Sequence, residues 1–294
     1  MISHNQHGFK TGCSTLSNLL NTYSVILKYI DSGKPIDLIS IDLSKAFDKI
    51  DHFLLIETLF KEGFDPRIVR LIDNFLTDRF HLVKIDDVQS KKLPVTSGVP
   101  QGTILEPILF NIFLNGVLKI SLNCENCINS YADDLKRFGS PGINLSDDLS
   151  KVISWLNSNG MEVNESKCVV LHFGKYNPRN AYFINNNKIE PVHQFRDLGI
   201  IIDDQLSFTF HTQQVCTRAY KTLNLFFRMF FSKNVDIYIK MYKVYVLPII
   251  LYCCSLYCPP RNRSQLNWKR FKDILLEDYI REGLPVPFLT IRLD

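Results

Sequence analysis

Tyr131-Ala132-Asp133-Asp134 sets two adjacent carboxylates at a sharp turn between short apolar runs. A third carboxylate stands far upstream, in Leu38-Ile39-Ser40-Ile41-Asp42, at the end of a β-rich stretch. Neighbouring Asp side chains in a tight hairpin stay ionised and need a partner, and a hard divalent cation with oxygen ligands is the natural one. Two strands ending side by side, one with Asp42 and one with the Asp133-Asp134 turn, would hold a pair of Mg²⁺ ions. Such ions about 3.5–4 Å apart serve phosphoryl and nucleotidyl transfer. The plainer alternative is a surface turn, because Asp-Asp is common turn chemistry.

Three further segments surround this constellation. The first is Ile41-Asp42-Leu43-Ser44-Lys45-Ala46-Phe47-Asp48-Lys49-Ile50-Asp51-His52, and the second runs from Ser97-Gly98-Val99-Pro100-Gln101-Gly102-Thr103 to Phe110. The third is Gly160-Met161-Glu162-Val163-Asn164-Glu165-Ser166-Lys167-Cys168. In order and spacing, the four segments resemble the reverse transcriptase of non-LTR (LINE-type) retrotransposons, from about Gln6 to about Phe208. The resemblance implies an RNA-directed DNA polymerase with an α+β palm, a ferredoxin-like antiparallel sheet with helices on one face. It divides the chain into a residual fingers element (1–36), a palm with an inserted fingers segment (37–208) and a thumb-like helical region (209–294).

The same resemblance distributes roles. Asp42 and Asp133 would bridge two Mg²⁺ ions, with Asp134 completing the cluster. One ion would lower the pKa of the primer 3′-hydroxyl and the other would neutralise the departing pyrophosphate. Tyr131 would lie beneath the primer end, or pack as an ordinary aromatic on the sheet. Phe47 would exclude a 2′-hydroxyl from the incoming deoxynucleoside triphosphate; its structural alternative is a core Phe on an amphipathic helix. Gln101 would hydrogen-bond nucleotide or template, and Gly102 would let the backbone approach closely. Lys167 matches a lysine that would protonate pyrophosphate as a general acid. Arg196 to Asp203 resembles a hairpin that grips the primer strand, with Phe195 where the family usually has Tyr. The implied partners are an RNA template, a DNA primer and deoxynucleoside triphosphates.

Departures from the family pattern qualify the expectation. Gln6 to Thr15 resembles an element whose second basic residue, an Arg, falls here at Cys13. Glu106 replaces a glycine before Pro107, and Gly283-Leu284-Pro285 resembles a downstream segment brought close by a deletion. The family has further fingers before Gln6, holding the basic residues that clamp the triphosphate. The sequence therefore reads as a fragment, weak or inactive alone. The other readings are a non-catalytic relic that binds primer–template, or an unrelated metal-dependent nuclease built on Asp42, Asp133 and Asp134.

Composition fits an intracellular nucleic-acid enzyme, of nucleus or cytoplasm. The 294 residues are 46% hydrophobic, enough for one large core or two modest ones. A net charge of +4 leaves any nucleic-acid path to local clusters. The candidates are Lys91-Lys92, Lys136-Arg137, Arg218 with Lys221 and Arg228, and Arg261-Arg263 with Lys269-Arg270. Each is equally a solvated face. The eight cysteines form no framework. Cys124 and Cys127 make one isolated C-x-x-C without finger-spaced partners, while Cys253, Cys254 and Cys258 read as buried small hydrophobes. Reduced thiols place the chain inside the cell. No run of 18 apolar residues crosses a membrane.

The elements follow from periodicity. Apolar residues at 16, 19, 20, 23, 26, 27 and 30 predict a helix over Thr15–Ile30. A strand over Asp37–Leu43, a helix over Lys45–Lys61 and a helix from Pro66 to Leu76 follow. Phe80–Ile85 and Gln89–Thr96 alternate as a hairpin about Asp86-Asp87, and a long helix runs from Gly102 or Thr103 to about Ile120. Ile128–Ala132 and Leu135–Phe138 form the hairpin that carries the Asp pair. Leu145–Ser158 is an amphipathic helix, Val169–Phe173 and Phe183-Ile184 are strands, and residues from about 210 onward are helical.

Overall fold

The computed structural model describes residues 2–120, 123, 126–229 and 235–257. The chain divides into two compact units, Met1–His193 and Gln194–Asp294.

In the first unit, Ser14 and Ser17 cap each other reciprocally and start helix α1 (Thr15–Asp31). Ser32-Gly33 ends it before strand β1 (Ile36–Ile41). The expected helix over Lys45–Lys61 is broken. A short 3₁₀ turn at Ala46–Asp48 precedes α2 (His52–Lys61), whose N-terminus Asp51 caps by accepting from Leu54 N–H. The break has a tertiary cause, because the carbonyls of Phe47 and Ile50 accept from the N–H groups of Val99 and Gly98. Helix α3 (Pro66–Leu76) starts with proline in its first turn behind an Asp65 cap.

A frayed hairpin follows: β2 (Phe80-His81), β3 (Lys84-Ile85), β4 (Val88-Gln89) and β5 (Leu93-Pro94). Ile85 pairs with Val88 and His81 with Leu93, so the register slips by one residue between the inner and outer pairs. Lys91-Lys92 supplies the extra residue, a bulge that interrupts the regular ladder expected from the alternation. Helix α4 (Leu105–Leu118) starts later than expected, where Thr103 Oγ1 accepts from Glu106 N–H.

The remaining elements of this unit are β6 (Cys127–Tyr131), β7 (Asp134–Gly139), α5 (Ile143–Ser158), β8 (Val169–Phe173), β9 (Phe183-Ile184), β10 (Asn187-Lys188) and β11 (Glu190-Pro191). The main sheet has the order β11-β8-β1-β7-β6, antiparallel except for the short parallel edge strand β11. Strand β9 pairs with β10 instead of joining it. Alternation along β1 and β7 sends Ile39, Ile41 and Leu135 into a core shared with α2, α3, α4 and α5. The α+β palm-type class stands, with one amendment. The other face is not bare, because α1 lies on it, with Asn18 and Thr22 bonded to Lys136 and Asn129.

The second unit opens with a hairpin, β12 (Gln194–Asp197) and β13 (Ile200–Asp203), turned by Leu198-Gly199 with both φ values positive. Asp203 then collects the N–H groups of Gln205, Ser207 and Phe208 and leads into α6 (Thr209–Met229). Helix α7 (Val235–Met241), a π turn at Tyr242–Val246, α8 (Leu247–Leu251) and α9 (Cys254–Tyr257) follow. The π turn stands just before Pro248, which has no N–H to continue the ladder. Ala219, Leu223, Val246 and Ile250 form this unit's own small core. Among the described residues no helix is long and apolar enough to cross a membrane.

A candidate carboxylate site at the β6–β7 turn

Strands β6 and β7 close on the pair Tyr131–Asp134, leaving Ala132 and Asp133 as the turn. Ala132 has φ +53, a position where hairpins usually place glycine. Strand β1 pairs with β7 through Ile41–Leu135, so continuing that register sets Asp42 beside Asp134, with Asp133 one step further round the turn. Burial pushes the Asp133 carboxyl up, a backbone hydrogen bond pulls it back, and the charge of Asp42 pushes it further up, leaving it raised. Asp133 thus feels the Asp42 charge across two adjacent strand ends.

Asp42 is held from its other side. Its carbonyl accepts from Asn164 N–H at 2.8 Å, and Ser44 N–H donates to Glu162 O at 2.8 Å. This pairing brings Lys167, four residues after Val163, to Asp42: Nζ lies 3.6 Å from Oδ2, with the lysine side chain two-thirds exposed. Asp134 is exposed at the start of β7. Among the described residues, no three His, Cys, Asp or Glu side chains gather as a metal-ligating set. The carboxylates at these strand ends are Asp42, Asp133 and the exposed Asp134. Oxygen donors of this kind suit a hard cation, which would offset the burial of the Asp133 charge first and its repulsion from Asp42 second.

The other candidate residues fall into a second cluster. Ser97 Oγ donates to Asp48 O at 2.9 Å and Gly98 N–H to Ile50 O at 2.8 Å, tying the Phe47 segment to the Gln101 segment. Phe47 is half-buried and stacks on Phe110, with centroids 4.0 Å apart, while Phe9 meets it edge-on at 6.4 Å. Gln101 is exposed and donates from Nε2 to Asp48 Oδ1 at 2.8 Å. Gly102 has φ +80 with open space where a Cβ would stand, so its backbone conformation asks for glycine and no neighbour does. Its N–H donates to Glu106 Oε2 at 2.6 Å, which gives that unexpected carboxylate a local task. Tyr131 is half-buried.

One basic cluster is corrected. Lys136 and Arg137 are both buried, because successive strand residues face opposite sides and each side is covered. Lys136 reaches Asn18 of α1, and Arg137 bonds Asp148 of α5 at 2.5 Å. Lys91, Lys92, Arg218, Lys221 and Arg228 are exposed. Cys253 is buried and Cys254 half-buried. Cys124, Cys258, the basic residues from Arg261 to Arg270 and Gly283-Leu284-Pro285 lie outside the described residues.

Gln6 was read only as the head of a family-like segment, without a task of its own. It is fully buried and hydrogen-bonded to the turn through a contact 126 residues away in the chain, which local patterning does not register.

Comparison with known proteins adds three findings. The family model described as reverse transcriptase (RNA-dependent DNA polymerase) matches residues 1–202. A Pol polyprotein from the type-1 retrotransposable element R2 of Popillia japonica is 25% identical over 205 residues, covering 63% of this chain and 34% of the relative. An RNA-directed DNA polymerase from the mobile element jockey of Drosophila funebris is 24% identical over 269 residues, covering 86% of this chain and 29% of the relative. The chain thus spans about a third or less of these relatives' length. Among solved structures, telomerase from Candida tropicalis, in complex with a fragment of telomeric RNA, shares the fold with a TM-score of 0.53 at 16% identity. That likeness covers 94% of this chain and 47% of the telomerase.

Proposed function

Because the chain belongs to the reverse transcriptase (RNA-dependent DNA polymerase) family, we propose that it carries the palm of an RNA-directed DNA polymerase of non-LTR retrotransposon type. The observation that carries this reading is the approach of Asp42 and Asp133 at adjacent strand ends, close enough that one charge raises the other carboxyl. The family generally uses divalent metal ions. We assign Asp42 and Asp133 to hold two Mg²⁺ ions, with Asp134 in support. Bound cations of this kind acidify the primer 3′-hydroxyl and neutralise pyrophosphate.

The chain's own residues do the rest. Asp42 and Asp133 set the negative field that draws cations to the strand ends. Lys167, on the flank of Asp42, donates a proton to the departing pyrophosphate. Phe47, braced by Phe110, presents its ring edge to the sugar of the incoming deoxynucleoside triphosphate and leaves no room for a 2′-hydroxyl. Gln101 offers an amide to nucleotide or template, Gly102 keeps the backbone low beside it, and Tyr131 underlies the primer end. An RNA template and a DNA primer are the macromolecular partners, as the RNA-bound telomerase of the same fold supports. Residues 1–36 and the 80–94 hairpin act as fingers, residues 37–208 as palm and residues from 209 as thumb.

The test is primer extension on poly(rA) with oligo(dT), Mg²⁺ and dTTP, comparing the chain with Asp133→Asn. Extension that vanishes in the variant supports the reading. Extension equal in both, with circular dichroism showing both folded, removes Asp133 from catalysis.

A further inference from the structure

Ala132 holds a left-handed backbone at the turn that presents Asp133, a conformation that costs an alanine energy. Ser130 Oγ donates to Ala132 O at 2.6 Å, and the other constraint is Gln6. Its Oε1 accepts from Ala132 N–H at 2.9 Å and from Gly8 N–H at 2.8 Å. Its Nε2 donates to Ser130 Oγ at 3.0 Å and to Ala132 O at 3.4 Å. Two backbone N–H groups on one end and two oxygens on the other fix which end of the carboxamide is which. Only an amide satisfies all four partners: glutamate would lose both donations and bury a charge beside Asp133.

The surrounding backbone reinforces the grip. His7 N–H donates to Ser130 O at 2.9 Å and Ser130 N–H to Asn5 O at 2.8 Å, so residues 5–7 line the free edge of β6. A Cβ on Gly8 would stand 2.3 Å from Ala132 N, so only glycine lets this segment lie against the turn. Ala132 O belongs to the peptide unit that carries the Asp133 nitrogen. Holding that oxygen sets the plane from which the Asp133 side chain departs.

We propose that Gln6 is a positioning residue, whose carboxamide locks the Ala132 turn so that Asp133 is presented beside Asp42. This rests on the reading of Asp42 and Asp133 as the cation-holding pair. The test measures Mn²⁺ binding to the whole chain by loss of the free-ion EPR signal, with hydrogen exchange over residues 127–135, in Gln6→Ala, Ala132→Gly and the double variant. Loss of the amide's bonds should weaken Mn²⁺ binding about tenfold and deprotect the turn, while β8 stays protected. Glycine holds a positive φ without a clamp, so Ala132→Gly added to Gln6→Ala should recover most of the affinity. A role in folding alone would lower thermal stability with Mn²⁺ affinity unchanged, and that result overturns the proposal. So does a double variant no better than Gln6→Ala. Should Gln6→Ala not fold, Gln6→Met keeps the length of the side chain without the amide and should weaken Mn²⁺ binding in the same direction; unchanged affinity overturns the proposal. If Asp133→Asn binds Mn²⁺ as wild type does, the cation reading falls, and exchange at the turn still decides the clamp: faster exchange in Gln6→Ala supports it and unchanged exchange refutes it.

Discussion

Replacing Asp148 by alanine should cost about 3–5 kcal/mol, the range for stripping one partner from a buried ion pair. The structure shows why the upper range is reached. Asp148 Oδ2 accepts from Arg137 Nη2 at 2.5 Å, Asn126 Nδ2 at 2.7 Å and Asn123 N–H at 3.1 Å, and Oδ1 accepts from Lys151 Nζ at 3.1 Å. Both side chains of the Arg137–Asp148 pair are wholly buried, so the variant leaves a guanidinium without its counter-charge between β7 and α5. Against a typical domain stability of about 5–15 kcal/mol, that loss is a large share of the total. The assay is urea unfolding read by Trp155 of α5 in a Trp268→Phe background. Burial alone would raise Asp148, but the bonds from Asn126, Asn123 and Lys151 and the Arg137 charge outweigh it and bring it to about 2 from an ordinary 3.8. A depressed carboxylate stabilises the fold above the unfolded value and loses that support as pH falls through the folded one. About 2 kcal/mol should therefore disappear between pH 4 and 2 in wild type, and not in an Arg137→Met/Asp148→Leu chain. That double variant should also be more stable than Asp148→Ala. A cost for Asp148→Ala below about 1 kcal/mol, or a double variant no more stable than the single, would refute the argument.

Three other outcomes are expected. In a chain joined to upstream fingers, Phe47→Val should admit ribonucleotides while deoxynucleotide incorporation persists, read by primer extension with each triphosphate; unchanged discrimination would make Phe47 core only. Lys167→Ala should slow extension by about 10²-fold or more with primer–template affinity intact, checked by pre-steady-state kinetics and filter binding. His211 is pushed down to about 4 by burial, then by the Arg196 and Arg218 charges, and its Nδ1 accepts from Ile201 N–H at 3.3 Å. Its neutral form is the folded one, so the second unit should lose stability as pH falls from 6.5 towards 4, and NMR titration should find the ring neutral at pH 5.

Residues whose fate depends on near neighbours were legible from sequence, and those settled by distant contacts were not. The apolar alternation of Ile39, Ile41 and Leu135 gave away the strands, and Asp42 was visible as the first polar residue beyond one. Pro66 announced its helix because a proline suits the first turn and acts locally. The break at Lys49–Asp51 was hidden, since its cause is Gly98 and Val99 taking carbonyls about a turn's length away in space and some 50 residues away in sequence. Lys136-Arg137 read as a surface pair because charge side by side usually is. Only the helices on both faces, with Asn18 and Asp148 as partners, show otherwise. Motif order set Asp42 and Asp133 together as an expectation, and the β1–β7 register ends both strands on the same side of the sheet. The amide beneath the turn had no local signature at all.

The position of β1 in the sheet also bears on how the chain is made. Its partners are Gly139 back to Leu135 on one side and Phe173 back to Val169 on the other, about 100 and 135 residues later for Asp37. At ribosomal rates of about 5–20 residues per second, the central strand emerges some 5–20 s before its first neighbour exists. During that interval Ile36, Leu38, Ile39 and Ile41 have no ladder to join, and a sheet of such high contact order closes slowly even once complete. Helix α1 is finished before β1 appears and covers the face that bears Leu38. Until β7 and β8 exist, α1 is thus the element already made that can shelter the Leu38 face of the strand.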